Sequence, residues 1–150
     1  MNFSQVTSDL FVGTQPERDD YRQLHDLGVQ LVINMRYESA PIPDPDPSPI
    51  PVLWLRTIDS PFFPLPLRRL IQGAEAALRV IDAGGKVYIH CAQGIHRGPA
   101  MAACTLVAQG ASVDEAIALV RQGRPAADPG IFYIRWRINR FSRAWAKRNP

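Results

Sequence analysis

At 150 residues, 46% of them hydrophobic, the chain is long enough for one core that hides roughly two thirds of the surface its unfolded form exposes, so disulfide staples are not needed. Its two cysteines are too few for a disulfide framework, every apolar run is broken by charge, Gly or Pro well short of a membrane span, and no signal-peptide pattern opens the chain, so a soluble protein in a reducing, cytoplasmic setting is expected. The net charge of +3 favours acidic ligands without choosing among nucleic acid, phosphoprotein, inositol phosphate and anionic lipid.

LFVG at 10–13 reads as a short strand, and TQPERDDYRQLHDLG as the helix after it, with Thr14 and Glu17 at capping-box spacing and Pro16 near the start. Tyr21, Leu24 and Leu27 share a face of that helix, and Gly28 ends it. VQLVINMR at 29–36 is a buried strand by its Val, Leu and Ile content. A loop follows in which proline recurs at alternate positions from Pro41 to Pro51, a pattern that prefers extended polyproline geometry. VLWLRTI at 52–58 is the next strand, and PLRRLIQGAEAALRVIDAGG a helix with Leu70, Ile71, Ala74, Ala77, Leu78 and Ile81 inward. KVYIH is a further strand, RGPAMAACTLVAQG a helix, and Ser112 with Glu115 a capping box that opens another. In the last stretch Ile134, Ile138, Phe141 and Trp145 recur at helical spacing with arginines between them; docking on phospholipid or RNA is the minor reading of that helix, packing on the core the major one. Strand and helix alternate, which predicts an α/β fold, a central parallel or mixed sheet with helices on both faces.

Between the KVYIH strand and the next helix lies the loop CAQGIHR, 91–97. Ligands of open α/β sheets bind beyond the carboxyl ends of strands, where loops lead into helix N-termini. There the amides from Ala92 to Arg97 can curl into an anion-binding nest, with Gly94 supplying the tight turn and the helix its positive end. Cys91 is the candidate nucleophile, since such a setting favours the thiolate, and the planar fork of Arg97 suits two phosphate oxygens. An inert buried cysteine at a strand end is the plain alternative.

HCAQGIHRG resembles the signature loop of the cysteine-based protein tyrosine phosphatases, His-Cys, five residues, Arg. The size of the chain, IDSPFFP and GRPAADPG resemble the dual-specificity branch, from LFVG to the final helix. That resemblance implies a dual-specificity-phosphatase-like fold, one phosphatase domain over 1–150 with the Pro-rich loop 40–51 as an internal insertion, and hydrolysis through a cysteinyl phosphate with no metal or organic cofactor. It implies Cys91 as nucleophile, Arg97 as clamp and, 32 positions before Cys91, Asp59 as general acid. Ala92, Gln93, Gly94, Ile95, His96 and Arg97 would hold the phosphate, and His90 would organise the loop. A turn residue before Pro61 is the plain reading of Asp59.

Two positions depart from the pattern. Gly98 stands where the family has Ser or Thr, whose hydroxyl helps the sulfur leave, so slow turnover with accumulating phosphoenzyme is expected. His96 resembles the plant and fungal atypical dual-specificity phosphatases with loops HCxxGKHRTG, which act on inositol pyrophosphates, but Ile95 replaces their lysine. The expected partner is a phosphorylated protein or a small phosphorylated molecule, with no nucleic acid. An inositol phosphate phosphatase, a phospho-binding pseudophosphatase and a rhodanese-like sulfurtransferase are the alternatives. Cys104 reads as a small buried residue, with redox pairing to Cys91 a minor possibility, and Arg36, Arg68 and Arg69 could widen the positive field.

Overall fold

The computed structural model describes residues 1–150. Strands β1 (Phe3–Thr7), β2 (Leu10–Thr14), β3 (Val29–Arg36), β4 (Val52–Thr57) and β5 (Lys86–Cys91) form a single sheet in the order β1-β2-β5-β3-β4. The helices are α1 (Tyr21–Leu27), α2 (Leu67–Asp82), α3 (Arg97–Ala108), α4 (Val113–Gly123) and α5 (Phe132–Arg148). Only β1 runs antiparallel, against β2; the other pairings are parallel, so the sheet is mixed.

Strand β5 lies between β2 and β3, and registry across the three builds two apolar rows. Phe11, Tyr88 and Val32 face one side, where Tyr21 and Leu24 of α1 cover them. Val12, Ile89 and Ile33 face the other, in the larger core shared with α2, α3, α4 and α5. Helix α3 is buried at every residue from Arg97 to Val107, which explains an Ala-rich composition with no polar face: it has neighbours all round. Ile134, Ile138 and Phe141 of α5 are buried, each worth about 1.5–3 kcal/mol of transfer free energy.

The first helix begins later than the sequence suggests. Thr14 and Glu17 make no capping box; Glu17 and Asp20 do, opening a short 3-10 turn at Arg18–Asp20 before α1 starts at Tyr21. Thr14 ends β2 instead, and its hydroxyl accepts from the amide of Asn2 (2.9 Å). Strand β1, which the sequence reading leaves unassigned, is an edge strand without a fully buried position, so its apolar alternation is weak.

The Pro-rich segment is seated on α1. Tyr21 donates to the Ile42 carbonyl (2.7 Å), and Asp44 accepts from the amides of Ile50 (2.7 Å) and Asp46 (3.0 Å), with His25 Nε2 2.7 Å away. Burial alone would raise the Asp44 carboxyl, but those two amides and His25 hold it below its ordinary value. No helix is long and apolar enough to cross a membrane.

Candidate active site

Strand β5 delivers Cys91 to the carboxyl edge of the sheet, and α3 starts six residues later at Arg97. Gly94 turns the loop between them in the left-handed region (φ 69°), where a side chain would be strained and its Cβ would fall 2.8 Å from Arg124 Nε. Arg124, buried just after α4, grips the loop from behind: Nε donates to the Gly94 carbonyl (2.9 Å) and Nη2 to that of Gln93 (3.0 Å). Its Nη1 reaches Asn2 Oδ1 and Ser4 Oγ, tying the loop to β1. With those carbonyls turned back, the amides of Ala92, Gln93, Gly94, Ile95 and His96 donate to no acceptor in the protein. Successive free backbone donors at a helix N-terminus are what an anion-binding nest supplies.

Arg97 is buried and doubly held. Nη1 and Nη2 meet the Glu38 carboxylate at 3.0 and 2.8 Å, Nη1 also donates to the Thr57 carbonyl (2.8 Å), and Nε has no partner. The hydrogen bond to Arg97 holds the Glu38 carboxyl down at about 2, with Arg36 assisting from 3.0 Å, so the pair stays ionised at neutral pH. Burial works against the Arg97 charge, and Glu38 more than offsets it.

Asp59 lies two residues beyond β4 and lines the same pocket as Cys91, Ala92, Gln93, Ile95, His96 and Arg97, a hollow of about 120 Å³. One carboxylate oxygen is 2.9 Å from His96 Nδ1, and the other accepts from the Tyr133 hydroxyl at 2.7 Å. Burial and then Asp59 push the Tyr133 phenol up to about 12, so it remains a donor. His90 lies beneath the loop, its Nδ1 unpartnered and its ring tilted against Tyr88. Burial, aided by Arg36 and Arg97, drives it down to about 4, so the imidazole is neutral at pH 7.

The structure thus brings together Cys91, Asp59, His96, Arg97 and the loop amides around one hollow, with His90 below. Gly98 abuts the sulfur, and a Cβ there would sit 3.5 Å from Cys91 Sγ. Cys104 is wholly buried in α3 and its thiol is pushed up by burial, which leaves it inert. Arg36 braces Glu38, and neither Arg68, Arg69 nor the Pro-rich segment lines the hollow. A larger cleft of about 700 Å³ between α1 and the Pro-rich segment contains no cysteine or serine.

Three contributors escape a reading of the sequence alone: Glu38, Arg124 and Tyr133. Glu38 stands two residues past β3, on the carboxyl edge where ligands gather, and that position is a signal. Arg124 in GRP carries only a hint, and nothing local marks Tyr133.

No protein-family model matches the sequence. Among solved structures, human DUSP28 superposes with a TM-score of 0.83 at 24% identity, covering 96% of this chain and 95% of its own. PTPMT1 in complex with PI(5)P gives 0.85 at 23% identity and 99% of both chains. The human tyrosine phosphatase-like serine/threonine/tyrosine-interacting protein gives 0.82 at 19%, over 96% and 97%. The mixed five-stranded sheet, its flanking helices and the strand-loop-helix that carries Cys91 are therefore those of the dual-specificity phosphatase fold.

Proposed function

We propose that this chain is a cysteine-dependent phosphomonoesterase, one domain over 1–150, acting through a cysteinyl phosphate. The observation that carries the reading is the set of five amides without protein acceptors, together with the unpartnered Arg97 Nε, around a hollow that has Cys91 in its wall. These donors suit three equatorial phosphoryl oxygens, and they are fixed before substrate arrives. Glu38 and Thr57 hold the guanidinium in one orientation, so little is lost in ordering it on binding.

In the first step the Cys91 thiolate attacks phosphorus in line. A sulfur–phosphorus bond forms, the bond to the ester oxygen breaks, and Asp59 gives that oxygen its proton. Tyr133 and His96 fix the carboxyl of Asp59 over the hollow. In the second step water attacks phosphorus, the now ionised Asp59 takes its proton, and the thiolate leaves. Gly98 offers that thiolate no hydroxyl, so the second step is the slow one. Neither step as written uses a metal or an organic cofactor. His90, neutral and buried, supports the loop without moving protons.

Phosphotyrosine, phosphoserine, phosphothreonine and small phosphorylated molecules all present the group this hollow accepts. A second reading, a phospho-binding module with lost turnover, draws on Gly98 alone. Hydrolysis of p-nitrophenyl phosphate in EDTA separates the two. Activity that vanishes in Cys91→Ser and falls in Asp59→Asn supports the enzyme; vanadate binding without phosphate release supports the module.

A further inference from the structure

Asp59 opens a loop that α5 holds at both ends. Tyr133 donates to Asp59, and one turn later Arg137 Nε donates to the Leu65 carbonyl at 2.8 Å. Between these anchors Phe62 and Phe63 stand 87% and 61% exposed, and on the first turns of α5 Phe132 and Trp136 are 75% and 52% exposed. Single exposed apolar residues are ordinary, but four large ones on the loop that Asp59 opens and on the helix turns that hold it, a rim on the acid's side of the site, mark an interaction surface. Phe132 packs edge-on against Tyr133 (5.4 Å between centroids), which places it beside the acid.

The surroundings are cationic. Residues 132–148 contain six Lys and Arg and no Asp or Glu. Arg140 and Arg143 continue the face of α5 that presents Phe132 and Trp136, because these positions fall within a quarter-turn of one another. Arg56 and Arg68 are exposed on either side of the loop, and the Arg56 guanidinium lies 4.1 Å over the Trp54 ring.

Protruding Phe and Trp among arginines is the composition with which proteins enter the headgroup layer of an anionic bilayer. The hollow of about 120 Å³ admits little beyond the phosphoryl group, so whatever carries the phosphate is held by the surface around the hollow. We propose that this rim docks on anionic lipid bilayers and that the phosphomonoester taken by the site is carried on a lipid headgroup; the second half of this rests on the phosphatase reading above.

The test is co-sedimentation of the full chain with phosphatidylcholine vesicles, with and without phosphatidylglycerol, beside turnover of p-nitrophenyl phosphate and of a headgroup-phosphorylated lipid in the same vesicles. Wild type is expected to pellet with the anionic vesicles. Two variants, Phe62→Ser/Phe63→Ser and Phe132→Ser/Trp136→Ser, are each expected to bind by about tenfold or more weaker, the effect of withdrawing two rings from the headgroup layer. Both keep wild-type turnover of p-nitrophenyl phosphate, which also shows that they fold, and lose turnover of the vesicle substrate.

Wild type remaining in the supernatant while hydrolysing p-nitrophenyl phosphate overturns the docking surface and leaves the phosphatase reading intact. Variants that pellet like wild type overturn it equally. If the variants instead lose only activity on a phosphopeptide, the rim is a protein contact and the proposal falls. Rim-dependent pelleting with no hydrolysis of either substrate upholds the docking surface and overturns the substrate half together with the phosphatase reading.

Discussion

Replacing Gly98 by serine should release the slow step. A Cβ at position 98 lies 3.5 Å from Cys91 Sγ, from the Cys91 amide nitrogen and from Val12 Cγ1, which is ordinary contact, so the side chain enters without displacing anything. Position 98 is the second residue of α3, where serine is a slightly better helix former than glycine, so stability is not lost. The hydroxyl is one bond beyond a Cβ already in contact with the sulfur, within reach of the thiolate as it leaves. A hydrogen bond to a charged group contributes about 1.5–3 kcal/mol, which corresponds to about ten- to hundredfold in the rate of phosphoenzyme breakdown. Rapid-mixing kinetics with p-nitrophenyl phosphate provide the assay. Wild type should show a burst of nitrophenol approaching one equivalent and then a slow steady state. Gly98→Ser should raise kcat, shrink the burst and leave kcat/KM nearly unchanged, because kcat/KM reports only steps through formation of the intermediate. Gly98→Ala, which adds the carbon without the oxygen, should behave as wild type. A kcat that does not rise in Gly98→Ser, or rises as much in Gly98→Ala, refutes this account of the slow step.

Other consequences follow from the same geometry. Arg124→Met removes the grip on the Gln93 and Gly94 carbonyls; a loss of about 3 kcal/mol, seen as a Tm lower by roughly 6–12 °C, should accompany weaker vanadate binding. Tyr133→Phe takes away one of the two partners of Asp59 and should lower kcat/KM about fivefold for phenyl phosphate, whose leaving group needs the acid, and much less for p-nitrophenyl phosphate. His90 sets a pH dependence of stability. Its folded value near 4 lies below the unfolded value near 6.5, so between these the unfolded chain binds a proton that the folded chain refuses. Stability is therefore complete above pH 6.5 and falls by about 3 kcal/mol as pH drops toward 4; urea titrations across that window should show a slope that His90→Gln flattens.

Much of the fold is legible because apolar periodicity follows burial. β3 spans the predicted 29–36, and the stripe Ile134, Ile138, Phe141 packs on the core as its spacing requires. Where the sequence misleads, a competing local interaction wins: Glu17 pairs with Asp20, and the helix start moves from the Thr14 box to Tyr21. β1 escapes because an edge strand needs no buried alternation. At the site, the residues close in sequence, His90 to Gly98, are legible as one strand-loop-helix, and Asp59 is legible through resemblance. Glu38, Arg124 and Tyr133 reach the loop or its acid from 59, 30 and 74 positions away, and spacing along the chain contains no trace of such contacts. Gly98 is the converse case, since its identity is plain in the sequence but its room beside the sulfur is visible only in three dimensions.

The central claim is that phosphate passes through Cys91. Acid quenching during steady-state turnover of p-nitrophenyl phosphate, followed by peptide mass analysis, tests it most directly. The account predicts one phosphoryl group on the peptide that contains Cys91, present in wild type, diminished in Gly98→Ser and absent in Cys91→Ser. Turnover that proceeds in wild type with no such adduct, and continues in Cys91→Ser, would contradict it.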